Sequence, residues 1–309
     1  MEEYIRQRDN VLDYIDANLN REMALDELAS ISCYSKYHFS RIFTNMMGEP
    51  VFHYITRLRL ERAARWMRIE DDIPITAIAY ELGFSSCAAF SKSFKEHFGL
   101  SPTAWKDARS GGREREEAAL EALPVSESDR NIFFDDKSLS WQFEIKGKTR
   151  VRVQIQDRDD TPILYLRYIG ASLGNHERFE YAYESLMQWA SAKGLQDCAA
   201  KKIYAVYHDN PLITEESRLR ISAGFEAPST SEASGNIGKM VIPGGKYAVS
   251  QFEYETREEY MAVYLFLSEC WLRKFGYSPD IHRYDFLCFL SRPSEKKLAI
   301  TLSIPIRPI

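Results

Sequence analysis

One residue pattern occurs twice in the first hundred positions, about fifty residues apart, and no other feature constrains the fold as strongly. Leu28, Ala29, Cys33, Tyr34, Ser35, Phe39, Ser40, Arg41, Phe43 and Gly48 return as Ile78, Ala79, Gly83, Phe84, Ser85, Phe90, Ser91, Lys92, Phe94 and Gly99. The offset is 50 from Ala29 to Ser35 and 51 from Phe39 to Gly48, so the second copy carries one extra residue in its turn or at the start of the helix that follows. Each copy reads as a short helix, a tight turn and a longer amphipathic helix. A duplicated unit of this length argues for a duplicated task. Two helix-turn-helix units in one chain can address two stretches of DNA without dimerising.

In the first unit, Leu25, Leu28 and Ala29 share one helical face, and Ser35 stands where it caps the next helix. That helix, 35–46, turns Phe39, Ile42, Phe43 and Met46 inward and Lys36, Tyr37, Ser40, Arg41 and Thr44 outward. An arginine there can bond guanine bidentately, a serine can meet either kind of base edge, and a tyrosine can pack on a sugar or a thymine methyl. A solvated charged face is the usual meaning of such a mixture, and the repeat is what favours the DNA reading. The second helix begins near Ser85 and Ser86 and shows Cys87, Ala88, Ser91, Lys92 and Lys95, a face poor in bidentate donors. Its half-site is expected to be read by methyl packing, phosphate contacts and shape.

Between the units, Val51, Tyr54, Ile55 and Leu58, then Leu60, Ala63, Ala64 and Met67, follow helical spacing in two sets nine residues apart. Their apolar faces point in opposite directions, so one helix docks one end on each unit. Seventeen residues give it about 26 Å, suited to holding two reading helices near the ~34 Å repeat of successive major grooves. The chain has a net charge of −5, and residues 1–108 hold 13 Lys and Arg against 16 Asp and Glu. Distribution matters more than the sum. Lys36, Arg41, Arg57, Arg59, Arg62, Arg65 and Arg68 face only Glu49 and Glu61 over 35–68, so a single positive stripe is expected on an acidic body.

These residues resemble the AraC/XylS-type DNA-binding domain over 5–106. The likeness rests on the run Arg57-Leu58-Arg59-Leu60-Glu61-Arg62-Ala63, on Ile78-Ala79-Tyr80-Glu81-Leu82-Gly83-Phe84, and on Phe94-Lys95, Phe98-Gly99 and Ser101-Pro102. The resemblance implies that Tyr37, Ser40, Arg41, Cys87, Ala88 and Lys92 take base-reading or backbone-contact positions. Lys36, Ser86 and Ser91 complete the candidate DNA-binding set. Cys33 departs from the glycine common in that turn, where a left-handed conformation costs on the order of 1 kcal/mol. It reads as a small buried turn residue.

The chain is long enough for two domains. Residues 109–127 change to a Ser-Gly-Gly stretch followed by mixed charge, expected as a hinge with a short charged helix, and Phe133, Phe134, Trp141 and Phe143 are too apolar for a free tether. Three segments are therefore expected: 1–108 as the DNA reader, 109–148 as a linker with a packed aromatic stretch, and 149–309 as a second domain. In the last, strands at 150–155, 163–168, 202–207 and 219–225 surround a helix at 179–193. The order recurs with strands at 239–242, 247–252, 285–290 and 298–304 around a helix at 258–275. The expected fold class is multidomain, an all-α double helix-turn-helix domain followed by an α+β domain of two β-β-α-β-β repeats, with helices on one side of the sheet and a groove at the pseudo-twofold.

This second half resembles the GyrI-like effector-binding domain, on Trp189-Ala190, on Ile242-Pro243-Gly244-Gly245-Lys246-Tyr247-Ala248, on Trp271-Leu272 with Gly276-Tyr277, and on Ile304-Pro305-Ile306. The likeness implies a small-molecule cleft lined by aromatics, for which Tyr168, Tyr207, Phe225, Trp271 and Phe286 are the candidates, although each is an ordinary core residue about as readily. Relatives that bind cationic amphiphiles place a buried glutamate directly after the phenylalanine of the 285–290 strand, and this chain has Leu287 there. Asp285, two residues away on the same face, is the substitute acid. A neutral or weakly cationic effector is therefore expected.

The remaining features exclude rather than assign. Five cysteines, scattered and odd in number, fit neither a disulfide framework nor a zinc cluster. The six histidines lack metal-ligand spacing, and no nucleophile elbow or phosphate loop occurs. No cofactor, metal or catalytic residue is expected. A GyrI-like hydrolase fused to a DNA-binding domain is the alternative, weakened by the missing acid. With no segment suited to a membrane span, a cytoplasmic transcription regulator is expected, whose partners are double-stranded promoter DNA, a small amphipathic effector and RNA polymerase.

Overall fold

The computed structural model describes residues 2–70, 72–110, 132–145, 149–170, 176–200, 202–291 and 296–309. Residues 111–127 of the expected charged hinge lie outside them, while 109–110 are helical. The chain divides into two compact units, one helical and one rich in sheet.

The helical unit consists of α1 (Glu2–Ala17), α2 (Leu25–Ile31), α3 (Lys36–Met47), α4 (Val51–Ile69), α5 (Ile75–Glu81), α6 (Cys87–Phe98) and α7 (Pro102–Ser110). Local chemistry accounts for the ends of the two reading helices. Ser35 caps α3 by accepting from the His38 amide at 3.4 Å, and Ser86 caps α6 by accepting from the Ala89 amide at 3.1 Å. Both helices stop at a left-handed glycine, Gly48 at φ 74° and Gly99 at φ 75°, as C-termini with unsatisfied carbonyls favour. The caps are 51 residues apart, whereas the left-handed turn residues Cys33 and Gly83 are 50 apart. The additional residue therefore falls in the second turn, between Gly83 and Ser86.

Helix α4 is longer than expected, 19 residues and about 28 Å. Both of its apolar sets are buried, Val51, Tyr54, Ile55 and Leu58 toward one end and Leu60, Ala63, Ala64 and Met67 toward the other. Phe43 of α3 meets Tyr54 edge-on at 5.3 Å, and Trp105 of α7 packs on Phe94 and Phe98 of α6. Each reading helix is thus held by an aromatic cluster on its inner face.

The second unit is built on one sheet of eleven strands: β1 (Phe133–Asp135), β2 (Ser140–Ile145), β3 (Thr149–Arg158), β4 (Thr161–Ile169), β5 (Ile203–Tyr207), β6 (Arg220–Glu226), β7 (Gly238–Ile242), β8 (Gly245–Tyr254), β9 (Tyr277–Pro279), β10 (Asp285–Phe289) and β11 (Leu298–Pro308). Their order is β1-β2-β3-β8-β11-β10-β5-β6-β4-β7, with β9 added on β11. Strands β1 and β2 are the aromatic stretch that was expected only to pack. They form a hairpin whose second strand pairs with β3, and Phe143 is buried against Phe266 at 4.8 Å.

Helix α8 (His176–Ala192) buries Phe179, Ala182, Leu186 and Ala190, and a single turn, α9 (Gln196–Ala199), follows it. Helix α10 (Arg257–Leu265) is capped by Thr256 and continues through a π-helical stretch, Phe266–Trp271, into a last turn at Leu272–Lys274. Phe179 of α8 lies 4.5 Å from Phe289, and Tyr264 of α10 bonds Asp285. Both helices therefore pack on the β10 face that carries Asp285, Leu287 and Phe289.

Candidate functional site

On α3 the outward residues stand as the pattern requires. Tyr37 is 91% exposed, Arg41 is exposed, and Ser40 is partly buried. Arg41 makes no hydrogen bond or ion pair with any described residue, so it can approach a base edge without first breaking a contact. Lys36 is exposed but pairs with Asp26 at 2.6 Å. On α6, Ala88 and Lys92 are exposed, Cys87 and Ser91 partly so, and Lys92 stands 3.9 Å from Glu96. The Ser86 hydroxyl is engaged in its cap.

The expected positive stripe is narrower than its sequence suggested. Arg57 is only 6% exposed and joins Glu49 at 2.7 Å to Glu61 at 3.1 Å, over the Tyr54 ring. Buried charge must be paired, and this one is. Arg59 is spent on backbone carbonyls. A second correction concerns Cys33, which takes the left-handed conformation at φ 58° but is exposed rather than buried. Gly83, its counterpart, faces a crowded site. A Cβ there would lie 2.8 Å from Arg59 Nη2 and 3.0 Å from the Leu19 carbonyl. The first turn accommodates the Cys33 side chain at an exposed position.

In the sheet unit, direct pairing sets Tyr168, Ile221, Tyr207 and Asp285 in one row across β4, β6, β5 and β10, on the helix-bearing face. Tyr207 is half-buried, and its hydroxyl interacts with Tyr168, Tyr254, Tyr260 and Tyr264. Desolvation there pushes it well above the ordinary phenol range, opposed by a hydrogen bond from Tyr260. Tyr260 is raised likewise by burial, with the neighbouring tyrosines adding to the shift. Tyr260 and Tyr264 lie nearly parallel at 6.3 Å, and Tyr254 is 5.4 Å from Tyr260. Asp285 is 5% exposed and accepts from the Tyr264 hydroxyl at 2.9 Å. Leu287, which stands where a buried acid was considered, is itself buried.

Three of the six expected effector residues, Tyr168, Tyr207 and Asp285, thus come together. Phe225 shares their face but pairs with Ile203 and Leu164, four residues along, about 13 Å away. Phe286 points to the opposite face, where it meets Tyr204, Tyr247 and the Arg158 guanidinium. Trp271 lies in the π-helical stretch and packs on Phe275 at 4.8 Å and Trp141 at 6.4 Å. Alternation along a strand separates Phe286 from Asp285, a distinction that choosing by aromatic type overlooks. Tyr254, Tyr260 and Tyr264 were missed. The i, i+4 spacing of Tyr260 and Tyr264 was the available signal.

Two exposed reading helices on the helical unit and a tyrosine row in the sheet unit fit one class: a helix-turn-helix transcription regulator with a small-molecule domain. A model of the helix-turn-helix domain matches residues 28–108, and a model of the GyrI-like small molecule binding domain matches 152–307, half of the chain. The protein belongs to the AraC-type regulators that carry a GyrI-like domain. It is 33% identical over 101 residues to the transcriptional activator AarP of Providencia stuartii, a match spanning 33% of this chain and 74% of the relative. It is 35% identical over 100 residues to the probable transcription factor PqrA of Proteus vulgaris, spanning 32% and 81%. Among solved structures, the DNA-binding domain of AdpA in complex with a target DNA aligns with 23% identity and a TM-score of 0.33, over 35% of this chain and 96% of that one. No helix among the described residues is long and apolar enough to cross a membrane.

Proposed function

We propose that α3 and α6 enter successive major grooves of promoter DNA, and that a small amphipathic molecule, neutral or weakly cationic, binds at the tyrosine row between the sheet and α10. Ligand binding favours one arrangement of the two units and so changes DNA docking or contact with RNA polymerase in the cytoplasm. The functional boundaries fall at 108 and 149, with the β1–β2 hairpin carried by the sheet. The strand order supports two equivalent β-β-α-β-β halves, since exchanging β3, β4, β5 and β6 for β7, β8, β10 and β11 reverses the central path onto itself.

The observation that carries the DNA reading is Arg41, exposed on the α3 face and without a hydrogen bond or ion pair to any described residue. Tyr37, Ser40 and Lys36 supply the surrounding base and phosphate contacts, and Ser86, Cys87, Ala88, Ser91 and Lys92 meet the second half-site. A good bidentate pair contributes about 1–3 kcal/mol, so Arg41→Ala weakens binding to a selected promoter fragment by roughly 5- to 150-fold. Unchanged affinity in a gel-shift titration overturns this assignment. For the ligand site, lipophilic dyes of different charge are titrated into the full chain. Tight cation binding that survives Asp285→Ala counts against the neutral-effector reading.

A further inference from the structure

Arg59 sits midway along α4, and its guanidinium reaches two segments far away in sequence. Nε donates to the Leu19 carbonyl at 2.9 Å and Nη2 to the Arg21 carbonyl at 2.5 Å, both in the connection that leads into the first helix-turn-helix unit. Nη1 donates to the Gly83 carbonyl at 3.0 Å, in the turn of the second unit. The same group lies 5.9 Å from the ring of Phe84, which meets Phe90 of α6 edge-on at 5.2 Å. Only a planar fork of donors can hold three carbonyls from two directions, and a lysine ammonium offers no such geometry. Gly83 permits the approach, because any Cβ there would strike the guanidinium.

We propose that Arg59 is a positioning residue for DNA recognition. It locks the second turn to the α1–α2 connection and thereby sets where α6 meets the duplex relative to α3. Exposed Cys33 occupies the place where Gly83 admits the arginine. Loss of the strap lets α6 pivot about its turn while α3, anchored through Phe43 and Tyr54, stays in place.

The inference rests on the DNA reading proposed above, and its test separates the two. The probe is a double-stranded fragment selected by the wild-type chain, on which Arg41→Ala identifies the α3 half-site by its loss of hydroxyl-radical protection. Arg59→Lys and Arg59→Met are then compared as full chains with wild-type helical circular dichroism required. The expected result is retained protection at the α3 half-site, lost protection at the other, and affinity about tenfold lower. Inserting two base pairs between the half-sites, which weakens the wild type, then has little effect on the variants. Protection lost equally at both half-sites, protection unchanged at both, or undiminished sensitivity to spacing overturns the proposal. Should Arg59→Met not fold, Arg59→Lys, which keeps stem and charge, decides alone. If Arg41→Ala leaves both half-sites protected, the base-reading assignment fails, whereas the asymmetry between half-sites still judges Arg59.

Discussion

The two turn residues Cys33 and Gly83 share a left-handed backbone but should respond very differently to substitution. Gly83→Ala places a methyl at φ 73°, which costs about 1–2 kcal/mol for any L residue. The methyl also arrives 2.8 Å from Arg59 Nη2 and 3.0 Å from the Leu19 carbonyl. Backbone cannot yield cheaply, so the guanidinium withdraws and loses at least one charge-assisted hydrogen bond, about 1.5–3 kcal/mol. The sum is about 2.5–5 kcal/mol. Cys33→Ala keeps a Cβ at φ 58° in an exposed turn and should change stability by under about 0.5 kcal/mol. Cys33→Gly relieves the left-handed strain and should stabilise by about 1 kcal/mol. Urea unfolding of the three full-length variants, followed by the helical circular dichroism signal, gives the comparison. If Gly83→Ala and Cys33→Ala shift the midpoint alike, the crowding at Arg59 has no energetic consequence and the reasoning fails.

Further expectations concern charge, pH and sequence preference. Lys36→Ala should weaken DNA binding less than Arg41→Ala, because Lys36 must leave Asp26 before it can meet a phosphate; the logarithmic salt slope should fall by about one at most. His208 is buried, accepts from Arg167 at 3.1 Å and stands 2.8 Å from Ser222, with Arg220 held by Asp209 and the Tyr284 ring nearby. Burial first, then Arg167 and Arg220, hold its pKa well below 6.5. The unfolded chain binds a proton that the folded one refuses. The associated stability is therefore complete above pH 6.5 and is lost as pH falls below it, by up to about 1.4 kcal/mol per unit. His208→Gln should remove that part of the pH dependence in urea titrations, and an unchanged profile would exclude it. Site selection should return a stricter half-site under α3 than under α6, whose exposed face offers Ala88 and Lys92; the reverse order would contradict the reading of the two faces.

The helical unit was legible because its instructions are local. Apolar spacing specified α3, α4 and α6, and the caps and glycine stops lay within four residues of what they terminate. The strand segments of the sheet unit were legible for the same reason. What required the tertiary structure was every choice among distant partners. Arg57 and Arg59 looked like part of a DNA-facing stripe, yet one neutralises Glu49 and Glu61 and the other ties Leu19 and Arg21 to Gly83. A charge count cannot distinguish a solvated guanidinium from one satisfied by carbonyls forty positions away.

The candidate ligand site divides in the same manner. Tyr207 and Asp285 were found from sequence, but their adjacency is a property of β5 pairing with β10, Tyr260 and Tyr264 join them only through the packing of α10, and Tyr254 joins from the end of β8. By itself the chain determined two reading helices, their spacing by one long helix, and a set of strands and helices to follow. The folded structure alone decided strand order, the placement of Phe286 and Asp285 on opposite faces, and the engagement of Arg57 and Arg59 by other segments. Periodicity and capping act over a few residues, whereas pairing and charge satisfaction are settled when distant segments compete for the same buried partners.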